Sequence, residues 1–141
     1  MLEVNIDGAS RGNPGLSAIG ILIKDNEITL IEHYEFLGIR TNNQAEYEAL
    51  KRALEICNEL DKEIMILSDS ELLINQRNFK YRLRNQELKI ISREISNLEK
   101  NFGKIVYKHI SREKNSEADR LANRALNEYI KKKSELKRLF I

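Results

Sequence analysis

The 141-residue chain has no tryptophan, one proline (Pro14), one cysteine (Cys57) and two histidines. With a single thiol no internal disulfide can form, so the fold must rest on a packed core, as in a reducing compartment. Two histidines and one cysteine leave no zinc-type ligand set. The scarcity of proline, with only six glycines, excludes collagen-like and Pro/Gly-rich disordered classes. No apolar run approaches the ~20 residues that span a bilayer. Met1-Leu2-Glu3-Val4-Asn5-Ile6-Asp7 has no basic region followed by an apolar stretch, so no secretory signal is expected. A soluble cytoplasmic protein with no membrane partner is the expectation.

What is present is a charged chain with an uneven distribution. Apolar residues make up 41% and charged residues 33%, enough of each for one globular domain. Residues 1–70 hold 6 Lys+Arg against 13 Asp+Glu, net −7, and residues 71–141 hold 18 against 9, net +9. A basic second half suits an anionic partner. Scattered solvated charge is the competing reading.

The periodicity gives the order βββαβα, a helix, then βα. Leu2, Val4 and Ile6 alternate in a first strand that ends at Asp7-Gly8. Arg11 to Gly15 is a turn, residues 18–23 a second strand, Lys24-Asp25-Asn26 a hairpin and residues 27–37 a third strand. Ala45, Ala49, Leu50, Ala53, Leu54 and Cys57 recur at helical spacing over 43–60, behind an N-cap in Thr41-Asn42-Asn43. Ile64 to Leu67 form an apolar fourth strand of the kind covered on both faces. A short helix begins near Ser70. Residues 79–84 are irregular and basic, Leu88, Ile91, Ile95 and Leu98 mark another helix, and residues 104–110 are a fifth strand. A last helix contains Ala118, Leu121, Ala122, Ala125, Leu126 and Tyr129. Three strands in a row followed by crossover units imply an α/β fold, a mixed sheet with helices on its faces.

Four acids hold special places in this layout. Asp7 and Asp69 end strands one and four, and Glu46 and Asp119 lie in the first turns of long helices. Ligands of open α/β sheets gather at that edge. Carboxylates crowded there need a cation among them, and an all-oxygen set suits Mg²⁺ or Mn²⁺. Glu46, Asp119 and Asp69 taken singly also have a plain capping reading, whereas Asp7, in an Asp-Gly turn, leads into no helix. Asn43-x-x-Glu46, Ser116-x-x-Asp119 and Ser68-x-x-Glu71 match capping boxes, and Asp69 alone fits an N-cap. The occurrence of all four at one edge favours chemistry.

Four segments carry a resemblance: Asp7-Gly8-Ala9-Ser10-Arg11-Gly12-Asn13-Pro14-Gly15, Thr41-Asn42-Asn43-Gln44-Ala45-Glu46-Tyr47, Ser68-Asp69-Ser70, and Arg112-Glu113-x-Asn115-x-x-Ala118-Asp119-x-Leu121-Ala122. In order and spacing, over residues 4–130, the chain resembles type 1 ribonuclease H of the compact archaeal and bacterial variety. The resemblance implies a five-stranded mixed sheet of order 3-2-1-4-5 with strand two antiparallel. It also implies hydrolysis of the RNA strand of RNA–DNA hybrids with two Mg²⁺ ions (Mn²⁺ as substitute), giving 5′-phosphate and 3′-hydroxyl ends. By motif, Asp7 would bridge the ions, Glu46 and Asp69 complete one site, and Asp119 the other. Gly8, Ser10, Asn13, Asn42 and Asn43 match contacts to the RNA 2′-hydroxyls, and Thr41 and Asn85 match grips on a DNA-strand phosphate. Asn13 also reads as turn chemistry beside Pro14, and Asn85 as a helix cap.

The chain departs from the longer bacterial members in two places. The basic protrusion is replaced by Phe79-Lys80-Tyr81-Arg82-Leu83-Arg84, and the loop before Asp119 lacks a histidine. Arg112 stands in that loop and suits phosphate positioning or product release. His109 falls in the fifth strand, and His33 reads as a surface strand residue. Residues 1–130 are expected to form the catalytic domain of a monomer. Residues 131–141 form a basic and apolar tail, either docked on the domain or a solvated extension of the final helix. Alternative readings are a catalytically silent nucleic-acid-binding module of the same fold and a nuclease that also cuts double-stranded RNA.

Overall fold

The structure, a computed structural model, describes residues 1–140; Ile141 of the expected tail lies outside the described residues. The strands are β1 (Leu2–Gly12), β2 (Gly15–Asp25), β3 (Ile28–Arg40), β4 (Glu63–Ser68) and β5 (Lys104–His109). The helices are α1 (Asn42–Cys57), α2 (Glu71–Phe79), α3 (Gln86–Glu99) and α4 (Ser116–Leu139), with a 3₁₀ turn at Arg112–Asn115. One sheet runs β3-β2-β1-β4-β5. β2 is antiparallel to β1 and β3, and β4 and β5 continue parallel from β1. This is the architecture expected from the sequence.

Each hairpin follows from its turn residues. Gly12, at φ +113°, supplies the left-handed backbone between β1 and β2, and Asn26 and Glu27, both at positive φ, make the tight turn between β2 and β3. On one face of the sheet, Ala49, Leu50, Ala53, Leu54 and Cys57 of α1 bury themselves against Val4, Ile6, Ile21, Ile64 and Ile66. Leu88 and Ile95 of α3 join this core. Burial pushes the Cys57 thiol up to about 12, with a smaller push from Asp61, so it packs as an apolar residue. On the other face α4 lies across β1, β2 and β3 through Ala118, Leu121, Ala122, Ala125 and Leu126. Gly20 permits this approach, because a Cβ there would stand 2.1 Å from the Ala118 carbonyl oxygen.

Several expectations need correction. β1 does not end at Asp7 but runs on to Gly12, because its pairing with β2 persists to the turn after its pairing with β4 stops at Asn5. β4 is fully buried on one face only: Ile64 and Ile66 are buried, while Met65 and Leu67 are partly exposed where α4 does not reach. α1 stops at Cys57, and Asn58 to Leu60 form a turn. The tail is a solvated extension of the final helix, not a docked segment. Residues 131–139 continue α4, and Leu136, Leu139 and Phe140 are exposed rather than docked. They lie on the prolonged apolar stripe of α4, past the sheet that covers its earlier turns.

Candidate active site

β1 and β4 are paired from Leu2↔Ile64 to Asn5↔Leu67 and then part. Asp7 therefore sits on a strand that has lost one neighbour, at the mouth of the gap between β1 and β4. Asp69 follows the last residue of β4 at the other side of that gap. Ser70, not Asp69, caps α2, accepting from the Leu73 amide, so the Asp69 carboxylate is spared for other partners.

Glu46 reaches the same place from α1. The helix starts with a capping box of Thr41 and Gln44, two residues earlier than the Asn43–Glu46 pattern. Glu46 consequently does no capping, and its Oε1 accepts the backbone N–H of Gly8. Gly8 allows this contact because it has no side chain: a Cβ would lie 2.3 Å from the Ala45 carbonyl carbon. Asp119, in the first turn of α4, stands beside Asp7 and accepts from Asn123 Nδ2 at 3.2 Å. The N-cap of α4 is Asn115, so the Ser116–Asp119 capping reading does not hold either.

Asp7, Glu46 and Asp69 each bring a carboxylate oxygen within 4.8 Å of the others. Burial first, then the charges of Asp69 and Asp119, push the Asp7 carboxyl up to about 7. Burial and Asp7 hold Glu46 well above the usual carboxylate range, against the pull of the Gly8 amide. The carboxylates thus oppose one another's ionisation, a conflict that a cation resolves. The donors are all oxygen, and neither His nor Cys joins the cluster, which fits a hard divalent cation.

A cleft of about 460 Å³ opens over this cluster, lined by Asp7, Gly8, Asn42, Asn43, Glu46, Asp69, His109 and Arg112 among others. The Arg112 side chain is 93% exposed and meets Asp69 only at 3.9 Å, so its guanidinium is free to swing. His109 ends β5, with a ring nitrogen 3.3 Å from the Asp69 carbonyl oxygen. Ser10, Asn13, Thr41 and Asn85 lie outside that lining and have local partners. Ser10 Oγ bonds within the hairpin region to the Gly12 and Arg40 carbonyls, and Asn13 Oδ1 accepts the Asn42 amide at 3.1 Å. Thr41 and Asn85 cap α1 and α3. The Gly8 N–H is likewise occupied, by Glu46.

Asn115, in the polar loop before α4, is 1% exposed. Its Nδ2 donates to the Ile6 carbonyl at 2.8 Å and its Oδ1 accepts from Asn5 Nδ2 at 3.1 Å. It ties the segment between Arg112 and Asp119 to the peptide unit just before Asp7. A polar residue in a polar loop gives no signal of burial, and only its place inside the fourth motif pointed to it.

Comparison with known proteins gives a consistent set. The family model described as "Reverse transcriptase-like" matches residues 5–125. A bifunctional protein of Mycobacterium tuberculosis is 33% identical over 127 residues, covering 88% of this chain and 35% of that protein. The chain thus spans about a third of the length of the mycobacterial relatives it matches. The crystal structure of RNase H1 from the halophilic archaeon Halobacterium salinarum superposes with a TM-score of 0.86 at 33% identity, over 90% of this chain and 98% of that one. LC11-RNase H1, solved in complex with an RNA/DNA hybrid, gives 0.87 at 36% identity, over 92% and 99%.

Proposed function

The chain belongs to the type 1 ribonuclease H family, and on that footing we propose that it hydrolyses the RNA strand of RNA–DNA hybrids, leaving 5′-phosphate and 3′-hydroxyl ends. The observation that carries the reading is the cluster of Asp7, Glu46 and Asp69 at the mouth of the β1–β4 gap, with Asp119 beside it. Asp7, Glu46, Asp69 and Asp119 would hold two divalent cations, Mg²⁺ with Mn²⁺ as a substitute. Bound cations of this kind supply Lewis acidity for activating water and for the leaving 3′-oxygen.

The remaining residues bind and orient. Glu46 is held by the Gly8 amide, and Asp119 by the Asn123 amide. Arg112, exposed and loosely held, takes the scissile phosphate with its planar fork and lets the product go. Asn42 and Asn43, on the cleft wall, read the RNA 2′-hydroxyls, with backbone groups near Gly8 and Ser10 and the Asn13 side chain beside them. Thr41 and Asn85, whose side chains cap helices, retain unused donor capacity for DNA-strand phosphates.

Residues 1–130 carry this activity as a monomer in the cytoplasm. No described helix is long and apolar enough to cross a membrane. The test is incubation with labelled RNA–DNA hybrid, double-stranded RNA and double-stranded DNA, each with Mg²⁺, Mn²⁺ or EDTA. Cleavage of the hybrid's RNA strand with metal, and none in EDTA, is expected. Undiminished cleavage in EDTA, or equal cleavage of DNA duplex, rejects the reading; cleavage of double-stranded RNA widens the substrate class.

A further inference from the structure

The Asn123 side chain stands between two groups that fix which way it faces. Its Nδ2 donates to Asp119 Oδ1 at 3.2 Å and to the Asp119 carbonyl at 3.0 Å, one helical turn back along α4. Its Oδ1 accepts from Arg11 Nη2 at 3.2 Å. A guanidinium only donates, so the amide oxygen must face Arg11 and the NH₂ must face Asp119. Arg11 is itself anchored by a 2.7 Å bond from the same nitrogen to Asn127, a turn further on.

Arg11 belongs to β1, four residues beyond Asp7. A chain of side chains, Arg11 to Asn123 to Asp119, therefore connects the strand that carries Asp7 to the carboxylate that stands beside it. Asp119 needs such a restraint. It is exposed on the first turn of α4, and the neighbouring Asp7 carboxylate repels it when both are ionised. A carboxylate so placed turns toward solvent unless a donor holds it. Asn123 engages Oδ1 from within α4, while Asp7 stands on the side of β1.

We propose that Asn123, oriented by Arg11, is a positioning residue that presets the Asp119 carboxylate for a divalent cation; this rests on the reading of Asp119 as a metal ligand given above. Neither residue touches the reacting atoms. Their effect is on the affinity for metal, not on binding of the hybrid.

The experiment is calorimetric titration of the full chain with Mn²⁺, for the wild type, Asn123→Ala, Arg11→Ala and the double variant. Thermal melts and steady-state kinetics on hybrid across a salt series accompany it. Each single variant weakens Mn²⁺ binding by about three- to tenfold, the net value of one ordinary hydrogen bond, as suits an exposed contact. The double variant is no weaker than the weaker single, because Arg11 acts through Asn123. Arg11→Lys, which keeps a donor, recovers part of the loss. Melting temperatures and the KM for hybrid stay at wild-type values, and kcat is restored by saturating metal. Unchanged Mn²⁺ affinity in both single variants overturns the proposal. So does a raised hybrid KM with a flattened salt dependence and intact metal affinity in Arg11→Ala, which makes Arg11 a phosphate contact. A melting-temperature loss in both variants that accounts for the weaker binding also overturns it. Failure of the wild type itself to bind Mn²⁺ refutes the underlying functional reading, a result separable from all the others.

Discussion

The backbone N–H of Gly8 donates to the Glu46 carboxylate, so α1 is fastened to β1 at the residue next to Asp7. Two acids far apart in sequence are thereby set by one contact. The contact exists only because position 8 has no side chain.

Gly8→Ala tests that contact. The new methyl would meet the Ala45 backbone at 2.3 Å, and backbone cannot yield as a flexible side chain does. α1 must lift from β1, moving Glu46 with it. Overpacking of this kind costs about 1–3 kcal/mol of stability, and turnover should fall by about 10²-fold or more through the misplaced carboxylate. Denaturant melts and kcat on hybrid check both numbers. Wild-type turnover in a folded variant would show that the Glu46 position does not matter.

Asp7→Asn should abolish turnover while leaving the metal-free fold as stable as the wild type or more so. The carboxylate is buried among like charges, and its removal relieves repulsion without emptying space. A thermal melt in EDTA decides: a large loss of stability in Asp7→Asn would make Asp7 a structural residue instead.

How much of this was legible follows from what each signal measures. Hydrophobic period measures burial, so the succession of strands and helices along the chain came through, while the order of strands in the sheet was implied by the resemblance. The period went silent at Asp7, because β1 turns polar where β4 leaves it although the strand continues to Gly12. Capping patterns measure only residue type. Asn43–Glu46 and Ser116–Asp119 have the right types, but the helices begin at other residues, and Thr41, Ser70 and Asn85 are the side chains that accept the cap bonds. Burial of polar groups was invisible at Asn115 and at Arg77. Arg77 has a fully buried side chain, bonded to Ser92, Ser96 and Glu99 on one stripe of α3. The 92-96-99 spacing was the available trace of it.

That buried arginine gives a pH prediction. Burial raises the Glu99 carboxyl, but hydrogen bonds from Arg77 and Tyr107 more than offset this and leave it below its ordinary value. A carboxyl lowered by folding contributes stability above its unfolded pKa, and loses it as pH falls through the folded value. The wild type should therefore lose stability in acid below the ordinary glutamate range of about 4.3. Glu99→Gln should show less of that acid loss. Arg77→Met should cost about 3–5 kcal/mol at neutral pH by stranding Glu99 and the two serines. Urea titrations at neutral and acid pH measure all three; an identical acid limb in Glu99→Gln would remove Glu99 from the account.

Arg112→Ala should slow turnover substantially without changing metal affinity or melting temperature, since the side chain is almost wholly exposed and only loosely paired. Arg112→Lys should recover part, because lysine lacks the planar fork. His109→Ala should leave the rate within a small factor, although its ring stands on the cleft wall. The opposite ranking, with His109→Ala crippling and Arg112→Ala mild, would make His109 the proton carrier.

The helical tail gives a prediction that depends on substrate length. Lys131, Lys132, Lys133, Lys137 and Arg138 lie on the last turns of α4, with no break after Ile130. Leu136, Leu139 and Phe140 are exposed, so removing them uncovers little core, and truncation after Ile130 should lower the melting temperature only slightly. At 1.5 Å per residue, the 12 to 19 residues of α4 between Asp119 and these cations place them ~18–29 Å from Asp119 along the helix. A strand rises about 3.4 Å per nucleotide, so that distance corresponds to roughly five to eight base pairs on one side of the cut. A hybrid shorter than this, cut near its middle, cannot reach the tail, and a hybrid of several helical turns can. The truncated protein should therefore show an unchanged KM on short hybrids. On long ones it should show a raised KM with a flatter salt dependence, because fewer counterions are released on binding. kcat should be the same on both, since no carboxylate of the cluster is touched. Parallel salt series on the two hybrid lengths make the measurement, and an unchanged slope on the long hybrid would mean that these cations meet only solvent.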